Sequence, residues 1–212
     1  MRQGMGGPPM RTRLGRCGVC CPWQPNPDRP HRQSGLSLLE LLIALTVGAV
    51  VLGFGLPEMG RVMTQNQLAV SHNQLLTAAV AARQSAISRN VSMTFCAGRA
   101  EVGCHGDWSL QEWLVFEDAD HDGNLDPGDT VKLAELLPAS GRLSVAGNGP
   151  FRRAVVFKPS GAAQTVTGAF AAGRLRICVS EPIPDNAVDL VLIGSGRIEP
   201  EPHDFAGACP QP

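Results

Sequence analysis

Nothing in the sequence assembles a catalytic centre. There is no Gly-x-Ser-x-Gly elbow and no Gly-rich phosphate loop, and His31, His72, His105, His121 and His203 lie far apart in the chain. A nucleophile needs a base within reach and a developing anion needs converging donors, so the chain reads as a non-enzyme. Ser160-Gly161 and Ser195-Gly196 read as turns instead. Excess positive charge is lacking where it would matter for nucleic acid. Residues 1–35 take six of the 18 basic residues and one of the 19 acidic ones, leaving 12 against 18 and a net charge of −6. General affinity for nucleic acid rests on neutralising phosphates, and an acidic domain does not offer it. No internal repeat and no long low-complexity segment breaks the region after residue 35, so one domain plus N-terminal extensions is expected from 212 residues.

What is present is a long apolar run. Gly35 to Pro57 reads GLSLLELLIALTVGAVVLGFGLP, with one acid, Glu40, near its start. A spanning helix needs about 20 mostly apolar residues, and Leu36–Leu56 supplies that length. A secretory signal peptide would have a shorter apolar core and an A-x-A-like exit, and neither occurs. A carboxylate held at mid-bilayer costs roughly 2.5–3.5 kcal/mol, so Glu40 asks for a partner. The six arginines ahead of this segment place its N-terminal side in the cytoplasm and send the C-terminal domain outward.

Cysteine usage agrees with that topology. Of seven Cys, Cys17, Cys20 and Cys21 precede the apolar run, and Cys96, Cys104, Cys178 and Cys209 follow it. An even count on the outward side suits disulfides. Four Cys allow three pairings, of which Cys96–Cys104 with Cys178–Cys209 is the simplest. Cys17-Gly-Val-Cys20 has the spacing of half a zinc site, but no second pair follows it.

Residues 1–34 are rich in Gly, Pro and Arg without apolar periodicity and read as a disordered leader; Met5 and Met10 offer later starts. From Leu36 to about Asn90 the pattern predicts one long helix, bent near Gly53, Gly55 and Pro57. Beyond Pro57 it turns amphipathic, with Leu68, Leu75, Leu76, Ala79, Val80 and Ile87 at three-to-four spacing. That half is expected to pack on a sheet. After Asn90, short apolar runs between Gly, Pro, Asn and Asp predict strands near 91–96, 112–117, 131–137, 142–146, 153–158, 164–167, 174–179, 188–193 and 197–199. One long helix followed by many antiparallel strands is an α+β layout.

Gly35-Leu36-Ser37-Leu38-Leu39-Glu40 resembles the class III signal of type IV pilins and type II secretion pseudopilins. In that family a prepilin peptidase cuts after the Gly and methylates the new N-terminus; the fifth residue after the cut is Glu, here Glu40. Leu36 stands where Phe is usual. Pro57, the 22nd residue counted from Leu36, stands where pilins commonly kink. The stretch Trp108–Asp129, WSLQEWLVFEDADHDGNLDPGD, resembles the Trp-x-x-x-x-Trp-x-x-Phe-x-Asp-x-Asp segment of the GspH/FimT branch. A Cys pair before that Trp, a Gly-Arg near the end and a terminal Cys are also similar to that branch.

The resemblance implies a pilin-like α+β fold and four regions: a cleaved leader (1–35), a transmembrane and filament-core helix (36–57), an amphipathic helix (58–90) and a periplasmic β-rich domain (91–212). It implies cleavage between Gly35 and Leu36, N-methylation of Leu36, and pairing of Glu40 with a neighbouring subunit's N-terminal ammonium during assembly. The partners implied are other pilins or pseudopilins, the prepilin peptidase and the bacterial inner membrane.

Two further patterns bear on ligands. Asp118, Asp120, Asp122, Asp126 and Asp129, with Gly123, follow an EF-hand-like spacing that would suit calcium; a solvated turn capped by its own Asp and Asn side chains is the reading preferred here, and no cofactor is expected. Some FimT-like members bind DNA through Gly-Arg-x-Arg near the C-terminus. Here that segment is Gly196-Arg197-Ile198-Glu199, with an acid in the last place. Arg174, Arg176 and Arg197 are the contacts that a DNA-uptake alternative would use.

Overall fold

The computed structural model describes residues 35–138 and 141–212, without the side chains of 54–58. The chain divides into two units, Met1–Thr46 and Val47–Pro212. Of the first, residues 35–46 are described. There Ser37 caps the helix α1 (Leu38–Arg89): its Oγ accepts the Glu40 backbone N–H at 3.1 Å. Ser37-x-x-Glu40 thus has the lettering of a capping box. The leucines of this end, Leu36, Leu38, Leu39, Leu41, Leu42 and Leu45, are all exposed. Among the described residues no helix is long and apolar enough to cross a membrane, the described side chains of α1 being interrupted at 54–58. The helix continues through Pro57 as one element; the side chain of Pro57, one of the residues expected to bend it, lies outside the description.

In the second unit α1 lies against both of the larger sheets. One has the order β5-β4-β1-β7-β8, built from β1 (Met93–Cys96), β4 (Glu112–Glu117), β5 (Thr130–Leu136), β7 (Val155–Phe157) and β8 (Ala163–Gln164). The other has the order β11-β10-β9-β6, from β6 (Leu143–Gly147), β9 (Gly173–Val179), β10 (Ala187–Leu192) and β11 (Ile198–His203). All their pairings are antiparallel. β2 (Gly98–Arg99) and β3 (Gly103–Cys104) form a separate two-stranded hairpin packed beside β4. This is a long helix packed on antiparallel sheets, an α+β fold.

The helix face that packs inward differs from the expected one. Leu68, Leu75 and Ala79 are buried, but Val80 and Ile87 are each 43% exposed. Their places in the buried stripe go to Ala78, Ala82 and Ala86. Small side chains let the helix approach two sheets closely, and bulkier ones would hold it off. The stripe meets Phe95, Trp113 and Val115 from one sheet and Leu175, Ile177 and Leu190 from the other in a single core. Arg83 adds a polar tie across the fold, donating from Nε to Gly161 O at 2.9 Å and from Nη2 to Ser195 O at 3.2 Å.

Trp108, Trp113 and Phe116 prove to be packing residues. Phe95 touches Trp108 at 5.6 Å, Trp113 at 6.4 Å and Phe151 at 6.5 Å between ring centroids, in the tilted and edge-on arrangements that aromatic quadrupoles favour. The indole N–H of Trp108 donates to Phe151 O at 2.7 Å. Phe116 points to the opposite face of the sheet, into a smaller cluster with Leu114, Cys96 and Ala154.

Two strand boundaries moved for physical reasons. The final strand, expected to stop at Glu199, continues over Pro200, Glu201, Pro202 and His203. Proline cannot donate to a ladder but is tolerated on an edge strand when its missing N–H faces outward, and β11 is such an edge. The strand expected at 164–167 shrinks to Ala163–Gln164, because Thr165 turns back to bond Ala169.

Candidate functional site

The arginines read as DNA contacts are occupied by acids. Arg176, on β9, makes a bidentate pair with Asp189 of β10, Nε to Oδ1 at 2.7 Å and Nη2 to Oδ2 at 2.8 Å. Its Nη1 donates to Pro210 O at 3.0 Å, and its guanidinium lies 4.6 Å above the Phe205 ring. Arg176 is buried, so it is removed from the set able to reach a phosphate. Arg174 donates to Glu201 at 2.8 Å and lies 3.4 Å from Asp189. Arg197 pairs with Glu199, the acid in the Gly-Arg-x-Glu segment. Gly196 in that segment serves packing: it has φ +78°, and an added Cβ would fall 2.0 Å from Gly161 O.

Asp189 is the centre of this cluster, and sequence reading passed over it. It is fully buried, flanked by Arg174, Arg176 and, at 3.5 Å, His203. Burial alone would raise its pKa; the hydrogen bonds and charge of Arg176, with smaller help from His203 and Arg174, overcome this and hold it below the ordinary aspartate value. The signal available in sequence is a lone acid inside the apolar run Ala187–Leu192. A second such group is Glu112, also buried, which accepts from Arg99 Nε at 2.8 Å and lies 3.0 Å from His105 Nε2. Because His105 Nδ1 accepts the Asp107 N–H at 3.0 Å, Nε2 is the donor to Glu112 in the neutral ring. The Arg99 hydrogen bond is the main reason the Glu112 pKa is lowered. Neither cluster holds a nucleophile, and both tie backbone segments together.

The Asp-rich loop joins β4 to β5. The carboxylate oxygens of Asp118, Asp120 and Asp122 come within 4.8 Å of one another, but Asp118, Asp122 and Asp129 are engaged with the loop itself. Asp118 accepts from Thr94 Oγ1 at 2.6 Å, Gly123 N at 3.0 Å and His121 N at 2.7 Å. Burial nonetheless raises its pKa. Asp122 accepts the Asn124 N–H at 2.7 Å, and Asp129 accepts from Ala119 and Asp126 backbone N–H groups at 3.2 and 3.0 Å. Gly123 sits at φ +76°, where an added Cβ would strike Val166 at 2.3 Å. These bonds describe a turn that closes on its own backbone. Adding millimolar Ca²⁺ to the full chain is therefore expected to leave its melting temperature unchanged. Occupancy at ten times Kd would stabilise it by about 1.4 kcal/mol, so a saturable rise abolished by Asp120→Ala would contradict the turn.

The four cysteines after the apolar run form two bridges. Cys96–Cys104 closes the end of β1 onto the β2–β3 hairpin, and Cys178–Cys209 fastens the C-terminal segment to β9. Asn186 reinforces the second, donating to Ala208 O at 3.0 Å and accepting from Phe205 N at 2.7 Å.

A capped N-terminal helix with exposed leucines, its other half laid on two antiparallel sheets, is the layout of a pilin-like subunit. The family model for the type II transport protein GspH matches residues 71–196, and that for the prokaryotic N-terminal methylation motif matches residues 30–56. The chain belongs to the GspH family, as a minor pilin or pseudopilin with an N-terminal methylation motif. Among solved structures it is similar to the type IV minor pilin FimU of Pseudomonas aeruginosa, with 18% identity over 65% of this chain and 90% of that one, at a TM-score of 0.50. The minor pseudopilin EpsH of the Vibrio cholerae type 2 secretion system matches at 10% identity over 64% of this chain and 97% of that one, TM-score 0.43. No curated protein matches the sequence. The family and these neighbours are structural pilins, not enzymes.

Proposed function

We propose that the chain is cut between Gly35 and Leu36, methylated on Leu36, and assembled with other pilins into a type II secretion pseudopilus or a type IV pilus. Residues 36–57 would hold it in the bacterial inner membrane before assembly and lie in the filament core afterwards. Residues 58–90 would carry the helix onto the domain, and 91–212 would fold in the periplasm. The observation that carries this reading is the methylation motif over residues 30–56 ahead of a GspH match over 71–196. Glu40 then has its partner: in low dielectric a carboxylate is tolerable only when paired, and a neighbouring subunit's methylated ammonium supplies the charge.

Mass spectrometry of the protein from its native membrane tests this. The expected species begins at N-methylated Leu36, and replacing Gly35 by a bulky residue leaves the precursor whole. A mature form that keeps residues 1–35 contradicts the assignment.

DNA uptake is the alternative, and the arginine geometry opposes it. Arg176 is buried on Asp189, and Arg174 and Arg197 each face a glutamate. A chain of net charge −6 after residue 35 with these pairings has few phosphate contacts to offer.

A further inference from the structure

The two larger sheets end in four edge strands, and three of them are closed. β11 carries Pro200 and Pro202 between Glu199, Glu201 and His203; prolines and charges are the usual protection of an edge. β8 has two residues, and Gln164 is bridged by Phe170. β6 lies against the turn Trp108–Leu110, and the Gln111 side chain donates to Leu143 O at 2.9 Å.

The fourth edge, β5, has no proline. Its register on β4 steps from Val131 opposite Phe116 to Leu133 opposite Val115, leaving Lys132 as a bulge tied to Glu117 at 2.8 Å. A bulge turns that end of the strand away from a would-be partner. After it, Leu133–Leu136 runs regular and exposed, with Leu136 65% accessible. Gln74 Nε2 reaches it from the helix, donating to Leu136 O at 3.2 Å and to Glu135 Oε2 at 2.7 Å.

This exposed run is flanked by a concavity on each face. Toward the helix lies one of about 320 Å³, lined by Asn73, Thr77, Trp113, Leu133 and Glu135. On the other face lies one of about 330 Å³, lined by Arg99, Glu101, Glu112, Ala134 and Leu136. Trp113 and Glu135 border both, and the buried indole N–H of Trp113 has no hydrogen-bond partner. An added strand bonds through its main chain and sends alternate side chains to opposite faces. Two hollows on opposite faces of one edge are the shape such a strand fills.

The geometry points to β5 as a strand-addition site for an extended segment of another protein that bears Lys or Arg at alternate positions. Glu135, which stands at the helix-side hollow and accepts from Gln74 Nε2 at 2.7 Å, fixes the charge of the residues the occupant turns to that face, in a domain that is acidic overall. A second copy of β5 fits poorly. Two-fold antiparallel pairing places residues of like face opposite each other. Centred on Leu133 it sets Glu135 against Val131, and centred on Ala134 it sets Glu135 against Leu133. A carboxylate meets an apolar side chain either way.

The test uses the full chain in detergent and two fluorescein-labelled heptapeptides, Val-Lys-Val-Lys-Val-Lys-Val and its Glu-for-Lys counterpart, read by anisotropy and by hydrogen exchange. The Lys peptide is expected to bind at least about ten-fold more tightly than the Glu peptide and to slow exchange of the Leu133–Leu136 amides. Glu135→Lys should remove the preference without unfolding the domain, and Ala134→Pro should abolish binding. Three results would overturn the proposal: no protection of these amides, undiminished binding by a folded Ala134→Pro variant, or protection that rises with protein concentration in the absence of peptide. The last would assign the edge to a second copy.

Discussion

Asp189→Ala is expected to destabilise the domain by about 3–5 kcal/mol, because it leaves the Arg176 guanidinium buried without its counter-charge. The loss should exceed that of any exposed ion pair in the molecule, since pairs such as Arg197–Glu199 contribute at most about 1 kcal/mol. Urea unfolding followed by tryptophan fluorescence measures it, Trp108 and Trp113 both lying in the core. The double change Asp189→Leu with Arg176→Met should recover much of the loss, as buried pairs replaced by apolar groups of similar size usually do. A single-variant cost below about 1 kcal/mol would show that water reaches the cluster.

The same residue gives a pH dependence whose sign is fixed. Asp189 titrates lower in the folded chain than unfolded, so its contribution is present above the ordinary aspartate value and is lost as pH falls through the depressed one. Asp118 titrates higher in the folded chain and works the other way, favouring the folded state below its raised pKa and less so as pH rises through it.

Cys178→Ser with Cys209→Ser is the other large effect. The bridge spans 31 residues, and in the chain-entropy model its loss costs about 3.5–4 kcal/mol, against about 2.5 kcal/mol for the eight-residue Cys96–Cys104 loop. Alkylation of the protein from its native membrane without reductant should label none of these four cysteines. Strong labelling would contradict both the bridges and the oxidising compartment.

How far the fold could be read in the sequence depended on whether local pattern or long-range partners decided each element. Glu112–Glu117 was legible to the residue, an apolar run bounded by turn formers and fully wanted by its sheet. The long helix was legible too, because its apolar run leaves no other reading. Its buried face was not: Val80 and Ile87 carry more apolar surface than Ala78, Ala82 and Ala86, yet the closeness of two sheets favours the alanines. The tail of β11 was hidden because Pro200 and Pro202 signal a break except on an edge, and being an edge is a property of the whole sheet. Asp189 and Glu112 were hidden for the same kind of reason. A single acid in an apolar strand reads as an interruption until Arg176, or Arg99 with His105, is seen across from it.

The Ser37 cap also decides what a peptidase would meet. Helix begins at Leu38, so Gly35, Leu36 and Ser37 stay outside it. The scissile amide proposed between Gly35 and Leu36 is then a peptide bond free of helical hydrogen bonds, able to lie straight in a cleft. Once cut, the new ammonium would stand just ahead of the positive end of the helix dipole, where a cation is unwelcome. Glu40, in the first turn, offsets it within the same chain. A monomer waiting in the membrane would therefore already hold in balance the two charges that assembly later shares between neighbours.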